Sequence, residues 1–281
     1  MESTLKGNEM FHKSPIILNP KQPQPSILDQ PIDIGLTLAM ADLKARFIDI
    51  EKGVVRYKEI RGSEAFERYK ALTGGLHSFD LRELEARDQR LPFWINIYNT
   101  AVIHGVIELG LQKSVKEFPG FFDRVSYEIG GYRVSLNDVE HGILRGNRRH
   151  PYRLFKPFRK GDPRLGFAVI PMDPRVHFAL VCGARSCPPI GFYEAEQIDF
   201  QLQLAATSFI NSPQVKISPA ERTIFISMIF KWYKVDFGGS DASLLDTILT
   251  FLDDGEPKTF LKQNKERIRI KYLPYDWNLN E

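Results

Sequence analysis

The sequence predicts an α+β fold, with several helices packed around a small, mainly antiparallel sheet. Three observations carry that expectation. The run FWINIYNTAVIHGVIEL after Pro92 is apolar nearly all round, the pattern of a helix buried on most sides. Tyr127, Ile129, Tyr132 and Val134 alternate around Gly130-Gly131, which reads as a β-hairpin. Val215 and Ile217 are expected to pair with Thr223, Phe225 and Ser227 across a turn containing Pro219.

Taken in order, residues 1–34 are rich in Pro, Ser, Asn and Gln and cannot bury enough apolar area to offset ordering, so a flexible arm is expected ahead of one globular domain over 35–281. Leu36, Leu38, Ala39, Leu43, Phe47 and Ile50 form a helical stripe, as do Phe66, Tyr69 and Leu72 in a segment stopped by Gly74-Gly75. Asp80 is expected to start a further helix, LRELEARDQR, and Pro92 to open the buried one, which Gly110 ends. Ser135 and Asp138 resemble a capping box on SLNDVEHGILR. An irregular basic stretch follows over 145–164, then an apolar strand Val176–Cys182 and a helix near Glu194–Ile210. MIFKWYKVDFG, a helix at about Leu244–Leu252 and the tail IKYLPYDWNLN complete the pattern.

Composition bounds the function. With 281 residues, 43% hydrophobic and 26% charged, the chain has ordinary globular composition and can bury a sizeable core. A net charge of +3 does not argue for nucleic acid. The first twenty residues lack a signal-peptide apolar region, and no run of about 18 apolar residues could span a bilayer. Two cysteines are too few for a disulfide framework, and a bridge between them would close a tight loop. They are expected as free thiols in a reducing compartment, which makes the expected location cytoplasmic.

The densest chemistry lies in DPRVHFALVCGARSCPPIGF, residues 173–192, which holds both cysteines and His177. A thiol acts as nucleophile only as thiolate, near a cation, an imidazole or a helix N-terminus. Cys187 sits in a Gly/Ser/Pro loop close to Arg185, where the amides of Gly183 and Ser186 are candidate oxyanion donors. Cys182, inside the apolar run, reads as packing, and either thiol is equally readable as a small buried hydrophobe. His177 alternates out of phase with Val176, Phe178, Leu180 and Cys182 and so faces the other side of a strand. Glu140 and His141 are helical neighbours about 100° apart, so Glu140 is not expected to orient His141, and one of the two can face a site while the other serves structure.

Asn96 and Asn99 on the apolar helix must be hydrogen-bonded. A structural polar network is the favoured reading; the functional one has either Asn96 or Asn99 orienting a catalytic imidazole. His177-x4-Cys182-x4-Cys187 is not a usual zinc spacing, and no phosphate loop, dinucleotide fingerprint or H-E-x-x-H occurs, so neither metal nor cofactor is expected. Residues 145–164 hold eight cations, Arg145, Arg148, Arg149, Arg153, Lys156, Arg159, Lys160 and Arg164, against the single acid Asp162. A solvated basic loop is the commoner reading of such a stretch; the functional one is a site for phosphate, an acidic peptide or nucleic acid.

Five phrases in order, LPFWINIYNTAVIHG, VSLNDVEHGILR, DPRVHFALVCGARSCPPI, IFKWYKVDFG and YDWNLN, resemble the domain of unknown function 547 family over about residues 56–280. Asn96, Asn99, Glu140, His141, His177, Cys182 and Cys187 all fall inside these phrases. By analogy the resemblance implies a papain-like or transglutaminase-like cysteine hydrolase of amide bonds, expected to be a peptidase. Cys187 would be the nucleophile, His177 or His141 the base, Glu140 and Asn99 orienting groups, and Arg148 and Arg149 contacts for an acidic peptide or protein substrate. The competing expectation is a non-enzymatic interaction or scaffold domain that docks an acidic partner or a phospholipid headgroup through its basic stretch.

Overall fold

Every side chain from Leu91 to Ile107 of the helix Arg87–Glu108 is buried, and this helix is the axis of the fold. A computed structural model describes residues 14–19, 21, 32–49 and 52–281. The helix begins before the position expected for it. Asp80 caps only a short 3-10 turn, Leu81–Glu83, and Arg87–Arg90 run straight on into the buried segment with Pro92 inside it. A proline there forfeits one ladder hydrogen bond, a cost that burial of the following turns outweighs.

The fold is α+β, but its strands form three small sheets among the described residues. The first orders β1 (Ile16–Ile17), β4 (Val125–Ile129) and β5 (Tyr132–Ser135); the second pairs β2 (Ile48–Asp49) with β3 (Val54–Val55); the third orders β6 (Val215–Ser218), β7 (Thr223–Ile226) and β8 (Arg269–Tyr272). The expected hairpin is present, with Tyr127 opposite Val134, and both Gly130 and Gly131 have the positive φ that a two-residue turn demands. β6 pairs antiparallel with β7, but one residue out of the expected register: Val215 and Ile217 lie opposite Ile226 and Ile224, not opposite Thr223, Phe225 or Ser227. β1 and β8 each add a parallel strand, so the first and third sheets are mixed.

Part of the segment expected as a flexible arm is docked. Ile16 and Ile17 pair with β4, and the buried Asn19 amide donates to the carbonyls of Thr73 (3.2 Å) and Glu128 (2.8 Å). Residues 1–13, 20 and 22–31 of that arm lie outside the described residues.

The expected strand Val176–Cys182 is not a strand. Pro174–Phe178 is a 3-10 turn, and the chain to Cys182 continues without sheet pairing. The Asp173 side chain accepts from the Arg175 amide and Pro174 fixes the first φ, so a local capping signal outweighs the β-propensity of the apolar run. The consequence is positional. Val176 packs in the apolar cluster around the central helix, and Phe178 in a second cluster with Phe209, Phe230 and Phe237. His177 lies at the seam between them.

Candidate functional site

At that seam is a cavity of about 140 Å³ whose walls include Glu140, His141, His177, Cys182, Cys187 and Tyr275. Residues far apart in sequence are thus brought to one place, and each wall has a local cause.

The first wall is helical. Ser135 and Asp138 form the expected reciprocal cap, with Ser135 N–H to Asp138 Oδ2 at 3.0 Å and Asp138 N–H to Ser135 Oγ at 3.2 Å. Asp138–Leu144 then winds as a π-helix, closed by Arg145 N–H to Glu140 O (2.9 Å) and Asn147 N–H to Gly142 O (2.9 Å). π segments recur at functional sites. The wide turn brings Gly142 against Phe158, where an added Cβ would meet the ring at 2.4 Å. It also places both Glu140 and His141 on the cavity, against the expectation that the two would part. Glu140 still does not hydrogen-bond its neighbour: Glu140 Oε1 and His141 Nδ1 are 3.8 Å apart.

His141 Nδ1 faces the Arg145 guanidinium at 2.9 Å. Arginine is only a donor, so Nδ1 accepts and the ring proton sits on Nε2. Burial pushes the His141 pKa down to about 4 against the pull of Glu140, which keeps the ring neutral. His141 is therefore an N–H donor, and the lone pair a general base needs is already engaged. Glu140 accepts from Tyr98 Oη at 3.1 Å and from Tyr233 Oη. Burial disfavours its charge, but the Tyr233 hydroxyl and the Arg145 guanidinium oppose that, and the carboxyl stays below its ordinary range.

His177 is held differently. Its Nε2 lies 2.9 Å from Asp236 Oδ2, and its ring stacks on Tyr233 with centroids 3.9 Å apart. Asp236 also accepts from Arg145 Nε (2.6 Å) and Arg148 (2.7 Å), and its side chain is fully buried. Burial opposes ionisation of Asp236, yet its hydrogen bonds from His177 and Arg145 hold the pKa far below the carboxylate range. A carboxylate fixed in this way makes Nε2 the protonated nitrogen, which leaves the Nδ1 lone pair of a neutral His177 free of hydrogen bonds among the described residues. The residue that orients His177 is thus Asp236 and not Glu140. Asp236 stands inside the phrase KWYKVDFG, where nothing in sequence marks its partner.

The two cysteines are joined as a disulfide, which corrects the expectation of free thiols and removes the thiol argument for a reducing compartment. The five-residue separation is not too tight: Gly183 has φ +78°, Cys187 N–H bonds to Ala184 O at 3.0 Å, and the Cα atoms come to 6.3 Å, within bridging range. Cys182 is therefore part of the cavity wall and not packing alone. Tyr275 Oη touches both sulfurs, at 3.1 Å for Cys182 and 3.2 Å for Cys187. Neither imidazole hydrogen-bonds to a sulfur.

Other expected site residues are engaged elsewhere. Asn99 orients no imidazole; its amide donates to Ala179 O (2.9 Å) and Gly191 O (3.3 Å) and accepts from Val181 N–H (2.9 Å). Asn96 holds Tyr193 by both its backbone groups, so the favoured structural network is what forms. Gly183, Arg185 and Ser186 are clasped by the tail: Asn280 N–H bonds to Gly183 O, Arg185 N–H to Asn278 O, and Ser186 N–H to Asp276 O. The Ser186 amide is thereby occupied as an oxyanion donor, and these three residues stand outside the cavity wall. Arg148 is spent on Asp236, and Arg149 reaches only Leu154 O at 3.5 Å. Among the described residues no three His, Cys, Asp or Glu side chains are grouped to hold a metal ion. No described helix is long and apolar enough to cross a membrane.

Residues 81–210 match the family model described as Protein of unknown function, DUF547, so the chain carries a segment of the family it resembles. The matched range includes the central helix, the π-helix and both cysteines, while Asp236 and Tyr275 lie beyond it. No curated protein matches the chain, and no solved structure does.

Proposed function

We propose, from the premise of a chain that carries a DUF547 segment, a thiol-dependent hydrolase of amide bonds, with a peptide as substrate, that works in its reduced form. The observation that carries this reading is His177, anchored through Nε2 by Asp236 with Nδ1 unengaged, on the same cavity as Cys187.

A dithiol reductant supplies two electrons and two protons to the Cys182–Cys187 bridge and is itself oxidised to a disulfide. His177 Nδ1 takes the Cys187 proton, and the Tyr275 hydroxyl, kept protonated by burial, donates to the thiolate. The thiolate attacks the amide carbonyl, and His141 Nε2–H faces the oxygen that gains charge. Collapse breaks the C–N bond as His177 gives its proton to the leaving amine, and water then cleaves the thioester.

The test is cleavage of a mixed peptide library, read by mass spectrometry, with and without a phosphine reductant. Cleavage should need the reductant, vanish in Cys187→Ala and His177→Ala, and survive in Cys182→Ser. No cleavage by the reduced wild type, or equal cleavage by Cys187→Ala, overturns the reading. The paired sulfurs favour one rival, a non-enzymatic interaction domain in which the bridge is only a staple; reductant-independent behaviour throughout would support it.

A further inference from the structure

Tyr152, Leu154 and Phe155 are 73%, 78% and 83% exposed, three large apolar side chains within four positions of one irregular loop. Single exposed apolar residues need no explanation, but a cluster at a loop tip does. Only half of the cations around it are spent within the fold. Of the eight cations over 145–164, Arg145 and Arg148 pair with Asp236, Arg153 with Asp123, and Arg164 with Asp138 and Asp162. Arg149, Lys156, Arg159 and Lys160 are exposed and have no carboxylate partner among the described residues. The one acid of the stretch, Asp162, is held by Arg164. The root of the loop, His150, Pro151 and Tyr152, forms part of the cavity wall.

We infer that this loop docks the protein on an anionic lipid bilayer and so sets the cavity at the membrane surface. Charge complementarity argues for the occupant. Four unpaired cations match anionic headgroups, while Tyr, Leu and Phe are the side chains that enter the headgroup and acyl boundary. Adjacent side chains exposed this far are available to insert into a soft interface. The inference concerns location and stands apart from the chemistry proposed for the cavity.

The test is co-sedimentation of the full chain with vesicles of phosphatidylcholine, and with vesicles in which part of it is replaced by phosphatidylserine. Binding to the anionic vesicles should be at least ~10-fold stronger and should fall with added salt. Leu154→Asp with Phe155→Asp should abolish it, and so, separately, should Lys156→Glu with Lys160→Glu, each with an unchanged circular dichroism spectrum. Equal binding to both vesicle types overturns the inference. So does anionic binding that both variant pairs retain, or binding of the loop to poly-glutamate with none to vesicles.

Discussion

Asp236 Oδ2 lies 2.9 Å from His177 Nε2, and the same carboxylate neutralises Arg145 and Arg148, so one side chain sets the tautomer of an imidazole and compensates two guanidinium groups. Arg145 in turn faces His141, which links His141 as well as His177 to this single acid.

Asp236→Asn should therefore be costly. Removing one partner of a buried charge cluster leaves the others uncompensated, a loss of about 3–5 kcal/mol. Chemical denaturation should read this loss. If the variant still folds, the proposed peptide cleavage should fall with it, because His177 loses its fixed tautomer.

Acid should weaken the fold in a defined window. The His141 pKa is lowered to about 4 by burial, whereas the unfolded chain titrates near the ordinary 6.5. Between those values the unfolded state binds more protons, so stability is present above about 6.5 and is lost as pH falls towards 4, by on the order of 3 kcal/mol. His177 is lowered too, by burial against the pull of Asp236, and adds in the same direction. Thermal unfolding at stepped pH should show the slope, and His141→Gln should flatten it.

The bridge predicts a labelling pattern. Native, unreduced protein should take up no iodoacetamide, and reduced protein should take up two groups, one per cysteine. The loop closed is short, so on the chain-entropy account reduction should cost only about 2 kcal/mol. Intact mass and a melting curve check both.

Gly142→Ala should destabilise by about 1–3 kcal/mol, because the new methyl meets the buried Phe158 ring at 2.4 Å. The double change Gly142→Ala with Phe158→Leu should recover part of that loss. Recovery in a melting experiment separates crowding from any intrinsic demand of the π-helix.

Asn99→Ala should strand the Val181 amide and the Ala179 carbonyl and cost about 2–4 kcal/mol. As Asn99 touches neither imidazole, any loss of peptide cleavage should follow the loss of folded protein and not exceed it. A pH profile of cleavage that moves in this variant would contradict that placement.

What could be read in advance follows the range of the forces. The hairpin at Gly130-Gly131 and the buried central helix are written in local periodicity, and each is present; the β6–β7 pairing is too, but its register, one residue from the expected one, is not. Burial of Asn96 and Asn99 could be deduced from their apolar surroundings, and with it their need for partners. Val176–Cys182 misled because β-propensity there competes with an Asp-Pro capping signal, which wins. Asp236 escaped notice because its role depends on Arg145 and His177, 91 and 59 positions away. The cysteine pairing turns on the positive φ of Gly183, a backbone state that spacing alone does not reveal.

The tail has a consequence for biosynthesis. Tyr275 touches both sulfurs, and Asp276, Asn278 and Asn280 bond the backbone of the loop that carries them. Asn280 also binds Val55 and Tyr57, near the start of the fold. A ribosome-bound chain that has not yet made these residues lacks one wall of the cavity and the clasp on its cysteine loop. Contacts of such long sequence separation are slow to close. The cavity wall is therefore completed late, after the residues of its other sides have already been synthesised.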